Sequence, residues 1–330
     1  MTKSAQPPAR APLQLFAGTA SQVLGRKIAR HYGQPLAPLK VRQFSDGEWY
    51  PQLGDQVQNA HVCLIQATYP PAGHVLELLL TIDAAKQAGA CYVTVVAPYL
   101  GYMRQDKVHH TGGPIGARLQ AHLLAAAGAD RLIVCDVHTL DSLAFFDFPV
   151  QHVATTSLFV PYIQQLQLPS LTLVAPDAGA VTRVRAYAQH FGRPMVIGRK
   201  HRPHPGQAAT VQLDGNVRGT NAVIIDDMVD TGETICQTAA QLHAQGARTV
   251  HAFCTHPILS GDAQRRLAAA PLAKLFVTDT IPLQSTSALL EICSVAPLIA
   301  NALCPEQRPP KPRASCAACP AQGCHSAAAL

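Results

Sequence analysis

Short apolar runs alternate with longer amphipathic stretches along most of the chain. Apolar positions on both faces predict buried strands at residues 61–66, 92–98, 131–137, 171–175, 195–198, 222–225, 250–255 and 274–278. Between several of these runs, apolar residues recur at helical spacing and are followed by a glycine where a helix should end, at Gly89, Gly128 and Gly246. This alternation predicts parallel sheets covered by helices, the doubly wound α/β class.

The length of 330 residues is about twice that of a typical domain, which predicts two domains. Each half repeats the order strand, acid, turn and helix, with Asp136 in the first half and Asp226 in the second. We place an N-terminal extension at 1–12, a first domain at 13–154, a second at 155–304, and a tail rich in Pro, Ala and Cys at 305–330. The tail lacks the apolar residues needed to form a core.

Composition narrows the class of protein. The formal net charge is +6, and Lys and Arg are scattered, so we expect anionic small substrates and no nucleic acid. No uncharged apolar run reaches 18 residues, so we expect no membrane span. Residues 1–12 lack the apolar region of a secretory signal, and several cysteines lie in or beside strand-like runs, which predicts reduced thiols and a cytoplasmic protein.

Residues 223–234 carry the most specific chemistry. An apolar strand ends there in Asp226 and Asp227, and a glycine-containing turn then opens a helix. Backbone N–H groups of residues 230–234 can bind a phosphate at the helix N-terminus, with the hydroxyls of Thr231 and Thr234 as further donors. The two carboxylates suit ribose hydroxyls, so this segment predicts a site for a ribose 5-phosphate.

The segment resembles the PRPP-binding signature of phosphoribosyltransferases and ribose-phosphate pyrophosphokinases. Further segments in order resemble the second family and span about residues 13–284; they are 15–19 with 44–48, 98–106, 136–138 with 145–147, 176–179 and 200–203. The resemblance implies two doubly wound domains of phosphoribosyltransferase-like type, each with a mainly parallel central sheet. It also implies transfer of the β,γ-diphosphoryl group of ATP to the 1-hydroxyl of ribose 5-phosphate, giving PRPP and AMP for nucleotide biosynthesis.

The same resemblance assigns roles to residues. It implies a catalytic pair on a flap between residues 197 and 211, Lys200 and Arg202. For ATP, in the first domain, it implies Phe44, Asp46, Glu48, Arg104, Gln105 and Asp106. For ribose 5-phosphate, in the second domain, it implies Asp226, Asp227, Asp230, Thr231, Gly232, Glu233 and Thr234. For Mg²⁺ it implies two metal-site residues, His138 and Asp177.

Family members bind ATP near a subunit interface, to which a neighbouring subunit brings the segment matched here by residues 44–48. The resemblance therefore implies a homo-oligomer, either a hexamer or a dimer-based assembly. Imidazole is not a preferred ligand of magnesium, so His138 could contact the ion through water or touch a phosphate instead.

Three features depart from the family pattern. Glu233 places a carboxylate in the turn predicted to bind the phosphate, unless its side chain points outward. The segment 107–113 is short and resembles the archaeal type, so activation by phosphate and inhibition by ADP stay open. In the tail, a cluster could bind zinc or consist of free thiols; its members are Cys316, Cys319, Cys324 and His325.

Two other functions carry some of the same motifs. A non-catalytic homologue could bind nucleotides and regulate a partner enzyme, and a phosphoribosyltransferase that consumes PRPP would share the sugar-phosphate segment. The presence of both flap cations and of the segments on the ATP side favours the diphosphokinase.

Overall fold

The computed structural model describes residues 7–8, 11–201, 210–283 and 287–304. Its strands are β1 (Leu13–Ala17), β2 (Leu39–Gln43), β3 (Trp49–Leu53), β4 (His61–Ile65), β5 (Tyr92–Ala97), β6 (Arg131–Cys135), β7 (Val150–Val153), β8 (Leu171–Ala175), β9 (Met195–His201), β10 (Thr210–Asp214), β11 (Asn221–Val229), β12 (Thr249–Pro257), β13 (Lys274–Thr278) and β14 (Leu290–Cys293). Its α-helices are α1 (Gln22–Tyr32), α2 (Gly73–Gln87), α3 (Gly116–Ala127), α4 (Thr156–Gln165), α5 (Val181–Phe191), α6 (Glu233–Ala244), α7 (Ala263–Ala268) and α8 (Ala296–Leu303).

The first sheet is fully parallel, in the order β1-β4-β5-β6-β7. Its central strands are buried on both faces, as their continuous apolar sequences predict. Side chains of α2 and α3 cover one face, where Leu78 and Leu124 belong to one apolar cluster with Val95. Side chains of α1 and α8 cover the other. The hairpin formed by β2 and β3 lies outside this sheet, and β3 contacts α2.

The second sheet has the order β10-β9-β8-β11-β12-β13-β14, and among its described strands only the β9–β10 pair is antiparallel. The strand order reverses between β8 and β11, since the chain runs outward from β8 through β9 and later returns to β11. The carboxyl ends of the strands at such a reversal form the usual ligand crevice of an open α/β sheet. Asp177 follows β8 and Asp226 lies near the end of β11, so both acids fall at this point.

The predicted fold class is confirmed, and every predicted strand and helix is present. The prediction omitted β1, β2, β3, β7, β10 and β14. Several boundaries differ from the prediction. The strand predicted at 131–137 ends at Cys135, and the strand predicted at 222–225 runs to Val229. The strand predicted to end at residue 198 continues to His201. It continues because β10 pairs with it in antiparallel register, opposing Val211 to Lys200, and so satisfies its backbone polar groups. The described ends of the predicted flap are therefore a two-stranded ribbon.

Helix α8 follows the last strand of the second sheet but packs on the first. Ile299 is fully buried, in one apolar cluster with Leu15 and Ile28 of β1 and α1. The domain boundary at 154/155 stays a prediction, and α8 is one part of residues 155–304 that packs on the first sheet. Among the described helices, none is long and apolar enough to cross a membrane.

Candidate active site

A cavity of about 190 Å³ opens at the strand-order reversal of the second sheet. It is lined by β11 and by segments that follow strands of both sheets, namely Arg104, His138, Asp177, Gly179 and residues 226–235. The structure therefore brings together all the residues predicted for ribose 5-phosphate, both predicted metal-site residues and one predicted ATP residue.

The turn between β11 and α6 forms part of the cavity lining. Gly232 has a φ of 74° and precedes the first residue of α6, Glu233. This left-handed conformation favours glycine, since other residues adopt it at a cost. The first N–H groups of an α-helix have no partner within the helix, so the N-terminus of α6 presents donors and a positive dipole end to the cavity. These are the features that bind a phosphate.

The acid pair at the end of β11 is asymmetric. Burial raises the pKa of Asp226 well above its ordinary value, and the adjacent charge of Asp227 raises it further. For Asp227 burial also raises the pKa, but a hydrogen bond with His138 and the charge of Arg183 outweigh it and leave the pKa lowered. At neutral pH, therefore, Asp227 is the firmly ionised member of the pair.

His138 joins the two sheets at this point. It follows β6 of the first sheet, and its Nδ1 lies 2.9 Å from Oδ2 of Asp227. This hydrogen bond raises the pKa of His138 despite partial burial. Arg183 of α5 lies 3.7 Å from Oδ1 of Asp227 and donates to the carbonyl of Val137 at 3.4 Å. Both carboxylate oxygens of Asp227 thus face a basic side chain.

Asp177 lines the cavity and also caps a turn. Its Oδ1 accepts hydrogen bonds from the backbone N–H groups of Gly179 at 3.0 Å and Ala180 at 3.3 Å, which caps a short 3-10 turn ahead of α5. No cluster of three or more His, Cys, Asp or Glu side chains suited to a metal ion occurs within the described residues.

The three residues predicted for ATP on segment 98–106 lie beside the cavity. Arg104 donates to Oδ2 of Asp230 at 2.8 Å, so it reaches the sugar-phosphate turn. Asp106 accepts a hydrogen bond from the Thr139 hydroxyl at 2.9 Å. Gln105 is half-buried, and its side chain lies against Gly116 at the start of α3.

Glu233 is directed along α6. Its Oε1 accepts a hydrogen bond from the Gln237 amide one turn later, at 3.0 Å, and the residue is exposed. The carboxylate thus has a partner on the helix surface, which agrees with the outward orientation that the sequence left open.

The remaining predicted ATP residues lie elsewhere. Phe44, Asp46 and Glu48 form the exposed turn between β2 and β3, in which the Glu48 N–H bonds to Asp46 and the Phe44 ring contacts Tyr50. None of the three lines the cavity within the described part of this chain. Their role at a neighbouring subunit's site stays a prediction.

Two predictions fall outside what the structure describes. Lys200 belongs to the end of β9, where only the backbone is described, and Arg202 is outside the described residues. The cluster of Cys316, Cys319, Cys324 and His325 also lies outside them.

The sequence prediction missed three residues beside the site. Arg183 faces Asp227, Ser260 bonds to Asp230, and Arg266 donates to the carbonyl of Thr231. Only Arg183 had a usable signal, because it lies six residues after Asp177 on the helix that this acid introduces. The other two come from the loop after β12 and from α7, which no sequence spacing connects to the turn.

Comparison with known proteins gives consistent matches. Residues 13–128 match the family model of the N-terminal domain of ribose phosphate pyrophosphokinase, and residues 194–304 match that of the phosphoribosyl synthetase-associated domain. The chain is 39% identical to "Ribose-phosphate pyrophosphokinase" of Oceanobacillus iheyensis, over 88% of this chain and 93% of that protein. It is 40% identical to "Ribose-phosphate pyrophosphokinase 1, chloroplastic" of Arabidopsis thaliana, over 88% of this chain and 74% of that one.

A solved structure agrees with these matches. The crystal structure of phosphoribosylpyrophosphate synthetase from Mycobacterium smegmatis superposes with a TM-score of 0.83 at 33% identity, covering 88% of this chain and 97% of that one. The likeness therefore extends over both sheets.

Proposed function

This chain belongs to the ribose-phosphate pyrophosphokinase family, and we propose that the cavity between its two sheets is where it makes PRPP. The enzyme is a ribose-phosphate diphosphokinase. It transfers the β,γ-diphosphoryl group of ATP to the 1-hydroxyl of ribose 5-phosphate and releases AMP. The observation that carries the assignment of the site is that every predicted ribose 5-phosphate residue lines one cavity.

We assign the 5-phosphate to the turn after β11. The N–H groups at the start of α6 and the hydroxyls of Thr231 and Thr234 are the donors, and the Glu233 carboxylate accepts a hydrogen bond from Gln237 on the surface of α6. Asp226 and Asp227 precede the turn on β11, and there they accept hydrogen bonds from the ribose hydroxyls. Because both ends of the sugar are held by one segment, the position of the 1-hydroxyl is set relative to the sheet edge.

The residues around the acid pair fit Mg²⁺. Mg²⁺ takes oxygen ligands, keeps several waters and is bound through one or two carboxylates together with substrate phosphates, so a cluster of three protein ligands is not required. Asp226 and Asp227 line the cavity together and offer carboxylate oxygens to such an ion. His138 and Asp177 line the same cavity and complete the proposed metal site. When bound with ATP, the ion would neutralise charge on the phosphoryl oxygens.

We propose that Lys200 and Arg202 supply the remaining positive charge. In-line attack on the β-phosphorus concentrates negative charge on phosphoryl oxygens, so cations positioned at those oxygens lower the barrier. The position of β9 supports this role. It pairs with β8, and β8 is the strand that precedes Asp177.

For ATP we propose Arg104, Gln105 and Asp106 from this chain, with residues 44–48 supplied by a neighbouring subunit. The exposure of Phe44 and its absence from the lining of the cavity described here support a contribution to another subunit's site. This proposal requires a homo-oligomer, either a hexamer or a dimer-based assembly.

We propose a cytoplasmic location. The cysteines within the described residues are free thiols, which suits a reducing compartment. The Arabidopsis relative is named as chloroplastic, so the location is a property of each protein and not of the family.

Incubation of the purified full-length chain with MgATP and ribose 5-phosphate tests the function. We expect AMP and PRPP to appear in equal amounts, measured by chromatography. A regulatory homologue would release no AMP, and a phosphoribosyltransferase would instead consume added PRPP when given a nucleobase. Either result would refute the proposal.

Lys200→Ala tests the assignment of the flap. Loss of a contact made mainly in the transition state should lower kcat by about 10²- to 10³-fold with smaller changes in KM. The measurement is steady-state AMP release at varied ATP and ribose 5-phosphate. Near-normal turnover of this variant would remove Lys200 from the catalytic pair.

A further inference from the structure

Two successive carbonyl groups of the sugar-phosphate turn are held from outside the cavity. The backbone N–H of Ser260 donates to the carbonyl of Asp230 at 3.1 Å. The Arg266 guanidinium donates through Nη1 to the carbonyl of Thr231. Ser260 and Arg266 are absent from the cavity lining, which includes both residues of the turn. The segment that begins after β12 and includes α7 therefore contacts the turn on its other side.

These contacts direct the donors of the turn. In a planar trans peptide, the carbonyl of one residue and the N–H of the next point in opposite directions. Holding the carbonyls of Asp230 and Thr231 on the side of α7 thus directs the N–H groups of Thr231 and Gly232 away from α7. Successive N–H groups that point the same way form a concave site for an anion.

Side-chain contacts hold the same geometry. The Ser260 hydroxyl donates to Oδ1 of Asp230 at 2.5 Å, while Arg104 holds the other oxygen. Leu267 is buried against Gly232, where an added Cβ would lie 3.1 Å from the leucine side chain. The turn is thus fixed at its backbone, at its acid and at its glycine by one neighbouring segment.

We propose that Arg266 and Ser260 are positioning residues for the phosphate of ribose 5-phosphate. They act through the turn and do not touch the substrate. Arg266 also brings a positive charge to the outer side of a turn that receives a dianion. This inference rests on the proposed function of the turn as the 5-phosphate site.

The test compares Arg266→Met with Arg265→Met in the full-length chain. Arg265 is the preceding residue on α7, and its ion pair with Asp262 is highly exposed, so the same change there removes a charge without touching the turn. Dissociation constants for ribose 5-phosphate and for MgATP are measured by titration calorimetry, and the melting temperature is recorded for each variant. AMP release is assayed separately.

Arg266→Met should weaken ribose 5-phosphate binding about 10-fold, because it removes a charge-assisted hydrogen bond. The affinity for MgATP and the melting temperature should change little, and Arg265→Met should match the unchanged protein. Arg266→Lys retains the charge and one donor, and should recover most of the affinity. Ser260→Ala should weaken ribose 5-phosphate binding in the same selective way, to a smaller extent.

Several results would overturn the inference. Equal effects of Arg266→Met and Arg265→Met would show that only net charge matters. Equal weakening of both substrates, with a lower melting temperature, would show a general structural role. Failure of the unchanged protein to bind ribose 5-phosphate would remove the site itself. Binding without AMP release would refute the proposed reaction but leave the roles of Arg266 and Ser260 to be judged from the affinities.

Discussion

At the scale of single residues, partners decide the chemistry of each acid in the cavity. Asp226 and Asp227 are adjacent and identical in type, yet the pKa of Asp226 is raised and that of Asp227 is lowered. The difference arises because, among the described residues, His138 and Arg183 form ion pairs with Asp227 and not with Asp226. Glu233 is a third case, since its hydrogen bond to Gln237 moves its charge onto the helix surface.

Glu233→Ala is the residue-scale prediction. Because the carboxylate already has a partner one turn along α6, its removal should change the KM for ribose 5-phosphate by less than about 3-fold, within the range of a surface contact. Steady-state kinetics with ribose 5-phosphate varied at saturating ATP provide the measurement. A KM lowered 10-fold or more would mean that the carboxylate repels the 5-phosphate.

At the scale of elements, α8 shows that order along the chain does not decide which sheet a helix covers. It follows β14 of the second sheet, yet its apolar side packs on α1 and β1. Asp279 directs it there, because this acid accepts from the backbone N–H of Val295 at 2.9 Å and from Lys27 of α1 at 2.8 Å. Burial of Ile299 in the first apolar cluster then stabilises the helix.

Ile299→Ala is the element-scale prediction. Removing a fully buried Ile side chain should lower the free energy of unfolding by about 2–5 kcal/mol. Ile292→Ala, the same change at a residue that is 40% exposed, is the control and should cost much less. Hydrogen exchange should become faster in α1 and stay slow in β11. Faster exchange in β11 alone would contradict the packing of α8 on the first sheet.

At the scale of the whole molecule, a buried polar network joins the two sheets next to the cavity. Asp136, at the end of β6, accepts hydrogen bonds from the hydroxyls of Thr155 and Thr255 at 2.5 and 2.6 Å. Its backbone carbonyl lies 2.8 Å from Nε2 of His256, on β12. Since His138 is two residues further along, the network also sets the position of the histidine that contacts Asp227.

Asp136→Asn is the whole-molecule prediction. Burial alone would raise the pKa of Asp136, but hydrogen bonds with His152, Thr155 and Thr255 and the charge of Arg183 lower it below the ordinary value. The ionised form therefore stabilises the fold above the unfolded pKa of about 4, and this contribution is lost as the pH falls below it.

The substitution should thus cost about 2–4 kcal/mol at pH 7, because a buried charge-assisted network loses its acceptor. The difference between the variant and the unchanged protein should shrink as the pH falls from 4. Urea unfolding at several pH values provides the measurement, with the exposed Asp141→Asn as the control. A constant difference at all pH values would mean that the charge of Asp136 does not stabilise the fold.

The linear sequence was sufficient for the features that depend on local pattern. Buried parallel strands need continuous apolar runs, and a phosphate turn needs its acids, glycine and helix in one segment, so the α/β class and residues 226–234 could be predicted. Short strands such as β7 and β14 were not predicted, since their few apolar residues form no recognisable pattern. The extension of β9 to His201 was not predicted either, because the length of this strand depends on its pairing with β10.

Long-range contacts account for the rest of the site. The contacts of His138 and Arg183 with Asp227, of Arg104 and Ser260 with Asp230, and of Arg266 with Thr231 join residues between 30 and 126 positions apart along the chain, and only folding brings them together. Charge and hydrogen bonding act over a few ångströms, so their partners are set by the packing of sheets and helices. For that reason the chemistry of the turn was evident from its own residues, while the groups that orient it were evident only in three dimensions.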